Sequence, residues 1–343
     1  MANADNELLL ARPMDFFKRY AVSPPDDAGS RTVPVPGRLA TLVANQTLTK
    51  SLELWSDPNH TVLPPSVERI DYQQVIGGKV VWADVTTVER DKPGAKTFKI
   101  TMEEADGLVP IYYLPWCSGK LMEMRLPDVG ADMDNIAEHP RLFFTAALSG
   151  CSVFVDGHPA RPRIVHAGIN GALKTDAVAF WRDMLNGISV KTGRPIDDHL
   201  REANKLEYMN TPWAMGFKQF LQADHRDTME IREVKEWASV FGIRFGRLWS
   251  FYLQRNATAT TYRLVKKSDT TILTHKYTKE KFRVVKNQPH LVVASQVQKG
   301  HGFFSRDKTI HVVKEDVALP LMIDEFYPTG QAHIKPERRI IAT

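Results

Sequence analysis

The stretch 143-FFTAALSGCSVFVDGHPARPRIVHAGI-169 decides how this chain is read. Its runs 151-CSVFV-155 and 162-PRIVHAGI-169 are apolar and rich in β-branched residues. Between them, 156-DGHPAR-161 supplies the Asp, Gly and Pro that turns favour. The pattern predicts a β-hairpin with a six-residue loop. Partner numbers in an antiparallel pair have a constant sum, so Val155 facing Pro162 sets Cys151 directly opposite His166. Opposed residues share a face with Cβ atoms about 4.5 to 5.5 Å apart, near enough for a thiol and an imidazole to exchange a proton. A slip of one residue would send the two to opposite faces.

A thiolate beside an imidazole is a nucleophile beside its acid and base. The residues around Cys151 suit acyl transfer. Ser149 and Gly150 are small, glycine tolerates a sharp backbone turn, and amide hydrogens from Gly150 to Ser152 can meet a developing oxyanion. The competing reading makes Cys151 a small buried hydrophobe, as thiols outside disulfides usually are. His158 lies in the turn beside Pro159 and reads as a solvated loop residue. Cys117, in 114-LPWCSGK-120, has a Ser-Gly neighbour but no histidine at a comparable downstream spacing, and reads as structural.

Working outward, residues 70–126 alternate apolar and polar positions around a DKPGAK turn and predict strands in hairpins. The stretch 39–48 reads as a helix or strand. In 174-KTDAVAFWRDMLNG-187 the period lengthens: Thr175 or Asp176 can cap a helix, Ala177, Phe180, Trp181, Met184 and Leu185 make its apolar face, and Gly187 ends it. Further helices are expected at about 196–209, 213–224 and 229–255, before strand-like patterns return from residue 261. Phe180, Trp181, Trp213, Phe217, Trp237 and Trp249 are expected in the core. The Pro- and Gly-bearing stretch 24–37 reads as a linker. The expected organisation is therefore an N-terminal arm and linker over 1–38 and a catalytic domain over 39–343 with a helical insert at about 170–256.

Composition is that of a soluble globular chain, with 343 residues, 43% hydrophobic and 25% charged, enough to bury a sizeable core. Two cysteines make no disulfide framework and point to a reducing compartment. The N-terminus lacks the long apolar core of a Sec signal, and no apolar run is long enough for a membrane-spanning helix. Sequons at Asn45, Asn59 and Asn256 carry little weight without a signal. Phosphate-loop, dinucleotide, zinc-hydrolase and serine-hydrolase motifs are absent, so neither cofactor nor metal is expected. The net charge of +5 is local: between Thr260 and Thr309 eleven Lys or Arg face three acids. Such strands read as solvated faces, as a dock for an acidic protein or, with no nucleic-acid motif beside them, less readily as a nucleic-acid groove.

Leu148-Ser149-Gly150-Cys151 with His166 fifteen residues on resembles the signature of the cytotoxic necrotizing factor and Burkholderia lethal factor group of glutamine deamidases. The chemoreceptor glutamine deamidases share the Thr/Cys/His pattern, and Thr145 stands six residues before the cysteine, where theirs does. The resemblance covers about 25 residues. It implies an α+β fold with a β-sandwich core of mixed sheets flanked by helices, a Cys151 nucleophile, a His166 acid and base, and a Thr145 whose backbone carbonyl orients His166. It further implies a bacterial toxin or effector, delivered without a Sec signal into a host cytosol, that converts a glutamine of a host protein to glutamate. By analogy alone the substrate would be a small GTPase or a translation factor. Transglutamination through the same thioester, another cysteine amidase, and a non-enzymatic basic binding protein are the alternatives.

Overall fold

β-Branched and aromatic residues are concentrated in runs such as 109-VPIYYL-114 and 152-SVFVD-156, and strands follow there. The structure, a computed structural model, describes residues 3–25, 67–70, 80–87, 95–101, 103–116, 121–130, 134–167, 200–209, 215–216, 229–274, 279, 281–286, 288–298, 308–329 and 333–334. Two short helices, α1 (Ala4–Ala11) and α2 (Pro13–Arg19), lead into β1 (Ala21–Val22), β2 (Val67–Ile70), β3 (Val81–Thr87), β4 (Ala95–Thr101) and β5 (Val109–Leu114). Next come β6 (Leu121–Arg125), β7 (Leu142–Thr145), β8 (Ser152–Asp156), β9 (Arg163–Ala167), β10 (Arg201–Ala203) and one helical turn, α3 (Lys205–Tyr208). The remainder is β11 (Met229–Phe245), β12 (Leu248–Val265), β13 (Thr270–Thr274), β14 (Lys281–Val285), β15 (Gln288–Gln298), β16 (Lys308–Tyr327) and β17 (His333–Ile334).

These strands form a large sheet in the order β1-β4-β3-β5-β7-β11-β12-β16-β15-β14-β13, with β17 also on β16, and a small sheet in the order β10-β8-β9-β6-β2. Both are mixed: β1/β4, β5/β7 and β2/β6 run parallel, the other pairs antiparallel. The inward residues Met122, Met124, Val153, Val155 and Ile164 of the small sheet join Leu114, Leu142, Phe143, Phe144 and Phe241 of the large one in a single apolar core. The architecture is thus an α+β, β-rich sandwich with few helices among the described residues.

The segment expected as a helix at 229–255 is instead the hairpin β11–β12. Its apolar residues satisfy a helical spacing only in part; Val240, Phe241, Ile243, Phe251 and Leu253 are all buried on two strands that have neighbours on both sides. Gly246, with φ of 58°, supplies the left-handed residue that a two-residue turn between Phe245 and Leu248 requires. Gly242 in mid-strand pairs with Phe143 on one side and Phe251 on the other. The two rings meet edge-on with centroids 5.4 Å apart, and a Cβ at Gly242 would lie 3.0 Å from the Phe251 ring. Only glycine leaves that space. Of the helix expected at 196–209, the described part is β10 and the single turn α3. The segments 39–48 and 174–187, nearly all of 213–224, and Cys117 fall outside the described residues, as do Phe180, Trp181, Trp213 and Phe217. Trp249 is in the core, while Trp237 is half-buried and donates to Thr258 Oγ1 at 2.9 Å.

Nor is the N-terminal segment a separate arm. Leu9, Phe16 and Phe17 are core residues, and Phe17 stacks on Phe241 with centroids 3.6 Å apart. Gln254, fully buried, accepts from the Val22 amide at 2.9 Å and donates to the carbonyls of Phe17 and Tyr20 at 2.8 Å each. Residues 3–25 therefore belong to the body of the fold.

Candidate active site

The hairpin β8–β9 exists, with a register shifted from the one expected. Asp156 pairs with Arg163, so the six-residue loop runs from Gly157 to Pro162 and His166 stands opposite Val153 rather than Cys151. Proline explains the shift: Pro162 has no N–H to give a ladder, whereas Arg163 closes the hairpin with two hydrogen bonds to the Asp156 carboxylate. The shift moves each partner by an even count, so parity survives. Val153 and His166 share one face, and Cys151, the residue just before β8, packs half-buried against the same core. The loop is held by Tyr327, whose hydroxyl donates to the Gly157 carbonyl at 2.6 Å, and by the Pro159 carbonyl, which accepts from the Trp249 amide at 2.9 Å. His158 is exposed on that loop.

That face is the interior of the sandwich. His166 is wholly buried, between Val153 on β8 and Met122 on β6, and reaches across to β7 of the other sheet. There its Nδ1 meets Thr145 Oγ1 at 2.6 Å, while the same hydroxyl donates to the Leu114 carbonyl at 2.8 Å. A hydroxyl has one hydrogen. With that hydrogen on Leu114, Thr145 accepts from His166, which puts the imidazole proton on Nδ1 and leaves Nε2 with its lone pair. Nε2 is buried and has no hydrogen-bond partner among the described residues. Burial alone drives the His166 pKa down to about 3, so the ring is neutral. It is the Thr145 side chain that makes this contact, where the resemblance implied the backbone carbonyl.

Cys151 sits where the chain crosses between the sheets. Leu148 still pairs with Ala238 of the large sheet, through amide-carbonyl bonds of 2.7 and 2.9 Å, and Ser152 already begins β8 in the small one. The turn between them needs Gly150, whose φ of 139° an L side chain rarely adopts. Cys151 is a half-buried thiol packed against the core cluster. Ser149 is exposed, and Ser152 is buried at the start of β8.

One residue of this corner escaped the sequence reading. Tyr208, at the end of α3, accepts from the Gly150 amide at 2.8 Å and donates to the Cys151 carbonyl at 2.9 Å. The Gly150 amide, expected to be open to an oxyanion, is thus taken up by the phenol. Burial raises the Tyr208 pKa, and the neighbouring Cys151 charge adds to the effect. The signal that predicts this turn is the Asn-x-x-Glu pattern of 204–207. Asn204 Oδ1 accepts from the Leu206 amide at 2.9 Å, and Glu207 Oε2 accepts from the Asn204 amide at 3.2 Å.

Among the described residues no group of three or more His, Cys, Asp or Glu is placed to hold a metal ion, and no helix is long and apolar enough to cross a membrane. No family model and no curated protein matches the chain.

Proposed function

We propose that the protein is a cysteine-dependent glutamine deamidase that converts a glutamine of another protein to glutamate. The observation that carries this reading is the oriented, neutral His166: Thr145 fixes its Nδ1 proton and leaves a buried Nε2 with no partner among the described residues, in the interior against which Cys151 packs. An unmatched buried polar atom costs about 1 to 3 kcal/mol, a cost that a role for Nε2 as base would account for.

In the proposed reaction the Cys151 sulfur bonds to the side-chain carboxamide carbon as Nε2 takes the thiol proton. The imidazolium then gives that proton to the departing nitrogen, the C–N bond breaks and ammonia leaves a thioester. Water adds to the thioester while Nε2 removes its proton, and collapse returns the thiol and a glutamate side chain. Because His166 starts neutral, proton transfer accompanies attack rather than preceding it as a standing ion pair.

The test is incubation of the full chain with a host-cell protein extract, followed by peptide mass spectrometry. A glutamine that gains about 1 Da with the wild-type chain and not with Cys151→Ser supports the reading. Absence of any converted glutamine at saturating enzyme overturns it.

A further inference from the structure

The crossover from Leu148 to Ser152 carries the candidate nucleophile on a turn that nothing in its own sequence makes rigid. Gly150 is the most permissive residue there is, and a Cβ built on it meets nothing within 4 Å, so no steric contact holds it at its φ of 139°. A nucleophile that must reach a fixed Nε2 cannot tolerate such freedom, since small misplacements are costly to reaction rates. A phenol restrains the turn. Tyr208 Oη uses its acceptor on the Gly150 amide and its only hydrogen on the Cys151 carbonyl, so it spans the very peptide that precedes the thiol. The ring itself is 1% exposed and belongs to the main core, and its helical turn is anchored by the Asn204–Glu207 capping box.

We propose that Tyr208 is a positioning residue that bridges the peptide groups on either side of the Gly150–Cys151 bond, setting where the Cys151 sulfur points relative to His166. It touches neither the thiol proton nor the substrate carbon in this role; it acts through the backbone. The inference rests on the deamidase reading for its biological meaning, but its test does not.

The decisive variant is Tyr208→Phe, which keeps the ring and removes both hydrogen bonds. Val240→Ala, a core truncation on β11, serves as a control for loss of stability alone. Site-resolved alkylation of Cys151 by iodoacetamide is measured on the full chain at pH 7.5 or thereabouts, well below the unfolding temperature of each protein. The clamp predicts that Tyr208→Phe slows Cys151 labelling by about tenfold or more while the control stays within about twofold of wild type. Unchanged or faster labelling in Tyr208→Phe overturns it. Glutamine conversion in extract is measured beside it to separate the two claims. If wild type converts glutamine and Tyr208→Phe labels normally, the clamp falls and the deamidase stands. If wild type converts nothing but Tyr208→Phe still slows labelling tenfold, the clamp stands and the deamidase falls.

Discussion

Thr145 orients His166 with its hydroxyl, and that detail changes what a substitution there should do. A backbone carbonyl survives any side-chain replacement; an Oγ1 does not. Thr145→Val keeps the volume and loses the acceptor at 2.6 Å, freeing the imidazole to place its proton on Nε2, the nitrogen that acts as base in the proposed reaction. Turnover should fall by about 10- to 100-fold, as for loss of a group that fixes a catalytic tautomer, and Thr145→Ser should restore most of it. Equal activity in the valine variant would mean the hydroxyl is packing alone. The buried ring makes a second prediction, in pH. Its pKa near 3, against 6.5 when unfolded, means the unfolded chain binds this proton more readily. Stability is therefore undiminished above about pH 6.5 and erodes as pH falls from there toward 3, by on the order of several kcal/mol. Imidazole resonances of His166 should not titrate between pH 8 and 5; an inflection near 6.5 would contradict the burial. The spacing of Thr145, Cys151 and His166 was legible in the sequence because all three lie close together along the chain, Thr145 and His166 only 21 residues apart. Tyr208 was not, because it stands 57 residues from Cys151 and only tertiary packing brings them together.

At the scale of elements, what the sequence misled about was period. Residues 229–255 hold enough apolar positions to imitate a helical stripe, yet Gly242 and Gly246 are poor helix residues, and Phe, Ile, Val and Trp favour a sheet covered on both faces. Burial on both sides erases the alternation that marks a half-exposed strand, which is why the hairpin was hidden while the more regular β3–β4 hairpin was not. The β8–β9 register was hidden for a smaller reason: the expected ladder asked Pro162 for a pairing that proline cannot complete. Gly242 offers the element-scale test. A residue of high strand propensity, Gly242→Val, should destabilise by about 1 to 3 kcal/mol, because its side chain must displace the Phe143 and Phe251 rings. Chemical denaturation measures this, and a stabilised variant would show that propensity outweighs packing there.

Across the whole molecule, the large sheet extends through β15, β14 and β13 well away from the cysteine corner, and part of the basic stretch lies there. Lys281 and Arg283 share one face of β14, Arg283 donating to Thr270 Oγ1 at 2.7 Å, while Lys276 lies outside the described residues. β1 ends the order of the same sheet on its other side, and Gln254 ties the N-terminal residues to β12. All of this scaffold serves to bring Thr145, on the large sheet, against His166, on the small one, with Cys151 on the crossover between the two. In the proposed reaction Cys151 and His166 work as a pair. The most direct test is site-resolved alkylation by chloroacetamide of wild type and His166→Asn, a variant that retains a polar group toward Thr145. The pair predicts that Cys151 of wild type reacts faster than Cys117, and that His166→Asn brings Cys151 down to the Cys117 rate. Equal, slow labelling of both cysteines in wild type, or a Cys151 rate indifferent to His166→Asn, would contradict it.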